Sequence, residues 1–152
     1  PVKPAARPAA PADSAHLAAL AERARGEFES QRGGHLFNVR EGGDGDGRDG
    51  ERWVGMLGDV VVGFAAARVE ELADGSRLGG ITALFVEPEA RAVGVGECLV
   101  RSIVEWCDEQ GCTGIDAAAL PGARAAKNFF EESGFTARLL IMHHRLPPAG
   151  RG

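Results

Sequence analysis

The chain's most chemical stretch runs Leu84-Phe85-Val86-Glu87-Pro88-Glu89-Ala90-Arg91-Ala92-Val93-Gly94-Val95-Gly96. An apolar strand ends at a proline, and a loop then enters a helix through Arg-x-x-Gly-x-Gly. Such an opening is an anion cradle. The first turn of a helix offers unpaired N–H groups and partial positive charge, and glycine lets a phosphate approach the backbone. The same spacing also fits a plainer reading, in which Gly94 and Gly96 only let the helix pack close to the sheet. Arg91 likewise has two readings, framing the loop or pairing with Glu87 or Glu89.

Other clusters carry less. Cys98, Cys107 and Cys112 are odd in number, make no C-x-x-C, and have no histidine nearby in sequence. They read as buried apolar thiols in a reducing cytosol, not as metal ligands. Asp44 and Asp46 superficially suggest a calcium loop, but the twelve-residue pattern with its closing glutamate is missing. No metal is expected.

These residues need elements to hold them. Pro11 suits the first position of a helix, with Asp13 in its first turn, and Leu17, Leu20, Ala24 and Phe28 recur at three- and four-residue steps. Arg32-Gly33-Gly34 is expected to end it. Residues 41–52 are Gly- and Asp-rich, with no apolar anchor, and read as a mobile acidic loop. Trp53–Leu57, Val60–Glu70 and Leu78–Val86 read as strands joined by turns at Gly58-Asp59 and Asp74-Gly75-Ser76, an antiparallel meander. Gly96–Gln110 carries Leu99, Ile103, Trp106 and Cys107 on one face and reads as an amphipathic helix stopped by Gly111. Ile115–Leu120 then reads as a strand, Arg124–Ser133 as a helix and Thr136–Leu146 as a final strand. The expected fold class is α/β (mixed α+β), a largely antiparallel mixed sheet flanked by helices on both faces.

Size and charge fit that picture. A chain of 152 residues with 44% hydrophobic residues makes one domain over 1–152, with flexible ends at 1–5 and 147–152. Seventeen basic against 22 acidic residues leave a net charge of −5, which argues against a nucleic-acid partner. No apolar run reaches the roughly 18–20 residues of a membrane helix, and nothing reads as a secretion signal, so a cytoplasmic location is expected. Glycine, 22 of 152 residues, is about twice the usual ~7%, and predicts many turns or close backbone approaches.

FVEPEARAVGVG, the helix through Trp106 and NFFEESGF together resemble the GNAT superfamily of N-acetyltransferases, and residues 6–32 resemble that family's opening strand and helix. The resemblance implies acetyl-CoA as co-substrate, with its pyrophosphate on the backbone N–H groups of Ala92, Val93, Gly94, Val95 and Gly96, framed by Arg91. It further implies that the backbone of Phe85 and Val86 pairs with the pantetheine arm and that the Leu84 N–H faces the thioester oxygen, where charge develops. The Rossmann and Walker alternatives lack their glycine and lysine patterns.

The sequence also departs from that family. Many members place a tyrosine four residues before the glycine of the Gly-Phe pair, as acid to the leaving thiolate; here Phe130 stands there, and the chain has no tyrosine. A thiol with a pKa of about 8.5 leaves unassisted at a cost of roughly 2 kcal/mol at neutral pH, which is tolerable. Deprotonating a lysine-like amine costs roughly 4.6 kcal/mol, so a base matters more. Where relatives often carry a glutamate, Gly80, Thr82 and Ala83 stand instead. Glu87, Asp116, His143 and His144 remain nominees, a relayed water or a weakly basic amine would remove the need, and no catalytic residue is assigned.

Lys127 either meets a coenzyme phosphate or is simply exposed. Phe129 and Phe130 are expected in the core, or one of them against the pantetheine. Only about a dozen structured residues are expected after Phe135, so the relatives' last two strands are either fused or completed by a partner subunit, and a homodimer is expected. The function read from this is acetyl transfer to an amine of a small molecule or peptide. The alternative is a non-catalytic acyl-CoA-binding or sensing module.

Overall fold

In the computed structural model, which describes residues 2–35 and 50–149, five strands form one sheet. They are β1 (Pro4–Pro8), β2 (Gly50–Leu57), β3 (Val60–Glu71), β4 (Arg77–Val86) and β5 (Gly114–Ala117). They lie side by side in chain order, antiparallel from β1 to β4, with β5 parallel to β4. Three helices accompany them among the described residues: α1 (Ser14–Glu29), α2 (Val95–Glu109) and α3 (Arg124–Glu132). The expected mixed α/β class and helix-flanked sheet are therefore present.

Strand alternation sorts the core into two layers. Trp53, Val62, Ala65 and Ala67 turn to one face, where Val95, Leu99, Ile103 and Cys107 of α2 meet them at a spacing of four residues. Val54, Phe64 and Phe85 turn to the other face and meet Leu17, Leu20, Ala21 and Ala24 of α1. Two sheet glycines let α2 seat closely. A Cβ on Gly55 would lie 2.6 Å from Val95 Cγ1, and one on Gly79 only 2.5 Å from Cys107 Sγ. Part of the glycine excess thus serves helix-on-sheet packing.

Several expectations are corrected. Thr136–Leu146 forms no strand: residues 135–148 have no regular secondary structure, because β5 is only four residues long and offers this segment no backbone ladder. Pro4 and Ala5 are not a flexible end but belong to β1, paired with Leu57 and Met56. Gly50, Glu51 and Arg52 open β2 and are not part of a loop, against the reading of 41–52. Residues 41–49, with Asp44 and Asp46, lie outside the described residues. The strand read at Ile115–Leu120 is Gly114–Ala117, and the first helix ends at Glu29, before Arg32-Gly33-Gly34.

Asp13 shows how the start is held. Buried at 5% exposure, it accepts from Arg7 at 2.8 and 3.0 Å and from the Ala10 N–H at 2.7 Å. The Arg7 contact above all, with the amide, brings its carboxyl down to about 2.

Candidate functional site

β4 and β5 pair only where Leu78–Ile81 faces Gly114–Ala117. From Thr82 to Val86, β4 continues with no strand on that side among the described residues. The Glu87 N–H donates to Val62 O at 2.8 Å. Antiparallel alternation then commits the main-chain groups of Phe85 and Ala83 to β3 and turns those of Leu84 and Val86 to the open side. The strand also kinks there. Ala66 pairs with Ala83 but Ala67 with Ile81, leaving Thr82 as an extra, bulged residue where β4 and β5 part.

The open edge leads into the Arg-x-x-Gly-x-Gly loop. Pro88–Ala90 makes one 3-10 turn and buries Ala90. Ala92 then adopts φ +66 and Gly94 φ +99, both in the left-handed region. An alanine there is strained by about 1–2 kcal/mol, whereas glycine is not. Val95 begins α2 directly after Gly94, with no side chain capping that end. Among the described residues, the N–H groups of Ala92, Val93, Gly94, Val95, Gly96 and Glu97 find no acceptor. Six free amides at the positive end of a fifteen-residue helix are groups of the kind that can hold an anion. Gly96 has a packing role as well, since a Cβ there would sit 3.1 Å from the Phe129 ring of α3.

Arg91 is held from three directions. Its Nε donates to Val86 O at 2.8 Å, its Nη2 donates to Glu27 Oε2 of α1 at 2.7 Å, and its guanidinium lies 5.5 Å from the Phe85 ring centre. The expected partners Glu87 and Glu89 instead face Arg23, at 3.1 and 3.6 Å. Arg91 therefore ties β4, the loop and α1 together.

On the α1 face, beyond the helix's own reach, a cavity of about 180 Å³ opens between β3, β4 and β5. Arg68, Glu70, Thr82, Asp116 and Ala118 are among its lining residues. Arg68 and Glu70 were not singled out from the sequence, although the two-residue period continuing Phe64 and Ala66 puts them on this face. Asp116 is bound through both oxygens to Arg138, one bond measuring 2.7 Å. The Arg138 hydrogen bonds hold its carboxyl below the usual range against a smaller opposing effect of burial, so Asp116 is a poor proton acceptor as it stands. Glu87 is engaged by Arg23, and His143 and His144 are exposed on the segment after α3. None of the four nominees is a free base beside the β4 opening.

The chain matches the family model described as the Acetyltransferase (GNAT) family over residues 17–135. It belongs to the GNAT acetyltransferase family. By sequence alone, no curated protein matches the chain. Among solved structures, it is similar to the aminoglycoside N-acetyltransferase AAC(6')-Iy in complex with CoA, at 19% identity and a TM-score of 0.73, covering 96% of each chain. It is also similar to an acetyltransferase of Trypanosoma brucei at 23% identity and a TM-score of 0.65, covering 95% of this chain and 100% of that one. A third likeness is a protein described as a transcriptional regulator from Bacillus halodurans, at 24% identity and a TM-score of 0.66, with coverages of 95% and 100%. At these identities the likenesses speak for the fold.

As a GNAT member, the chain is an acetyl-CoA-dependent N-acetyltransferase with acetyl-CoA as co-substrate. The residues present fit that co-substrate: uncapped amides stand at the start of α2, and an unpaired β4 edge leads away from them. No group of metal-ligating side chains occurs among the described residues. Lys127 is exposed and paired with Glu131, and Phe129 and Phe130 are half-buried against each other and Phe135 rather than inside the core. No helix of the described residues is long and apolar enough to cross a membrane.

Proposed function

We propose that this GNAT domain moves the acetyl group of acetyl-CoA to an amine of a small molecule or peptide by direct attack on the thioester. One observation carries the reading: among the described residues, the free amides at the α2 start lie at one end of a β4 edge with no strand beside it. The N–H groups of Ala92 through Gly96 hold the pyrophosphate, and Arg91 keeps their loop in shape. The edge formed by Leu84, Phe85 and Val86 takes the pantetheine arm as an added strand, with the outward-turned groups of Leu84 and the Val86 N–H supplying the bonds, the Val86 carbonyl being held by Arg91. From Val86 back to Thr82 an extended strand spans about 13 Å, which brings the arm's far end to the β4–β5 parting and the cavity beside it.

There the Leu84 N–H faces the thioester oxygen, where negative charge builds as nitrogen attacks. A C–N bond forms, the C–S bond breaks, the sulfur leaves with its electron pair, and the amine sheds a proton. With no tyrosine in the chain, the sulfur departs as thiolate. With Asp116 engaged by Arg138, the proton goes to solvent water, and an amine that arrives already neutral needs no base before it attacks. The amine enters through the cavity walled by Glu70, Thr82 and Asp116.

The same fact favours a second reading. A cradle without a free base beside it would also serve a non-catalytic acyl-CoA sensor. Acetyl-CoA raises the melting temperature under both readings, by mass action on the native state. Thiol release across polyamines, amino acids, aminoglycosides and peptide N-termini separates them: release with any acceptor supports the enzyme, and a thermal shift with silence across the panel supports the sensor. We further infer a cytoplasmic protein that pairs with a second copy. Leu139, Leu140, Ile141 and Met142 are 68% to 82% exposed, an apolar run that a second copy would cover. Light scattering of a monomer at micromolar concentration would overturn the pairing.

A further inference from the structure

Helix α2 ends in a cap that places two cysteines side by side. Gly111 adopts φ +79, its N–H donates to Asp108 O at 3.0 Å, and the Cys112 N–H donates to Cys107 O at 3.0 Å. These bonds define a Schellman motif, in which the third residue from the helix end and the second residue beyond the cap touch through their side chains. An apolar pair usually fills those places. Here they hold Cys107 and Cys112, and Cys112 packs against the core cluster to which Cys107 belongs. The 3.0 Å backbone link, with standard bond lengths, keeps the two Cα atoms within about 7 Å, inside the reach of a disulfide. Cys107 is buried at 1% exposure against Gly79, and Cys112 is half-buried at the edge of the same core layer. Cys98 lies in the first turn of α2, nine residues before Cys107, or about 13 Å along the helix.

We propose that Cys107 and Cys112 form a modification site, a dithiol that a low-molecular-weight disulfide converts into an intrachain disulfide. The half-buried Cys112 thiolate attacks one sulfur of the small disulfide and expels a thiolate. The Cys107 thiolate then attacks the Cys112 sulfur of the mixed disulfide and expels the second thiol. The protein loses two protons and two electrons, and the small disulfide is reduced to two thiols. Burial first, and then the neighbouring Cys112, pushes the Cys107 thiol up to about 11. The closing step is therefore the slow one and speeds up as pH rises. The bridge ties the last turn of α2 to the residues that open β5.

The test uses the full chain, reduced, then exposed to glutathione disulfide at pH values between about 7 and 9. After acid quenching it is denatured, alkylated with N-ethylmaleimide and cut with trypsin. Cleavage after Arg101 and Arg124 leaves both cysteines in one peptide and Cys98 in another. The expected result is an unlabelled 102–124 peptide lighter by two hydrogens and a fully labelled Cys98 peptide, with closure accelerating about tenfold per pH unit. Cys112→Ser should leave Cys107 fully labelled after the same exposure. The proposal is overturned if the 102–124 peptide of the parent chain still takes two labels, if it carries an unresolved glutathione, or if the bridge involves Cys98.

Discussion

Gly94→Ala strikes the cradle at its tightest point. Gly94 sits at φ +99 and ψ 2, directly before the first residue of α2, and its missing Cβ would lie 3.1 Å from Pro4 Cγ in β1. An alanine has two ways to respond. If it keeps the left-handed conformation, the backbone cost is about 1–2 kcal/mol, and Pro4 must yield by a few tenths of an ångström. In a domain of this size that lowers the melting temperature by roughly 2–8 °C. If it leaves that conformation, the Val95 and Gly96 N–H groups swing with it, and one lost hydrogen bond to a charged phosphate costs about 1.5–3 kcal/mol, roughly ten- to 150-fold in Kd for CoA. Calorimetric titration with CoA beside a thermal melt of the unliganded variant reads both outcomes. A variant that melts with the parent and binds CoA equally well would refute the reasoning, because neither strained backbone nor directed amides would then matter.

Two further outcomes are expected. Arg91→Lys keeps the charge but loses the fork that reaches Val86 O and Glu27 together, so the Kd for CoA should rise about two- to tenfold, and an unchanged Kd would show that the loop does not need Arg91. The Asp13 carboxyl titrates near 2 when folded, below its ordinary value near 4, so its stabilisation is complete above about pH 4 and disappears as pH falls toward 2. With the half-exposed Arg7 side discounted for screening, the contribution is about 1–2 kcal/mol. Urea unfolding of parent and Asp13→Asn should differ by that amount at pH 7 and converge near pH 2, and a gap independent of pH would refute the assignment.

The readable parts of the sequence were those whose signals are local. Leu99, Ile103 and Cys107 advertise a helix face by their own spacing, and the structure buries all three. Gly94 and Gly96 mark a helix opening within a few residues of chain, and α2 starts between them at Val95. The family resemblance draws on that motif together with the helix through Trp106 and NFFEESGF, and the family model matches residues 17–135. Thr136–Leu146 misled for the opposite reason. Its apolar, strand-like composition is a local property, but a strand also needs a partner's backbone, and four-residue β5 supplies none here.

Residue order alone settled the periodicities, the turn glycines, the absence of tyrosine and the place where a helix begins with bare amides, because each is decided within one or two turns of backbone. The assembled fold decided who meets whom. Arg91 finds Glu27 across 64 positions instead of its neighbours Glu87 and Glu89, and Asp116 is occupied by Arg138 from 22 positions away. Among the described residues, β4 has no strand on its β5 side past Ile81. Charge pairing and strand pairing depend on distances in space, and only the packing of α1, α2 and the sheet creates those distances.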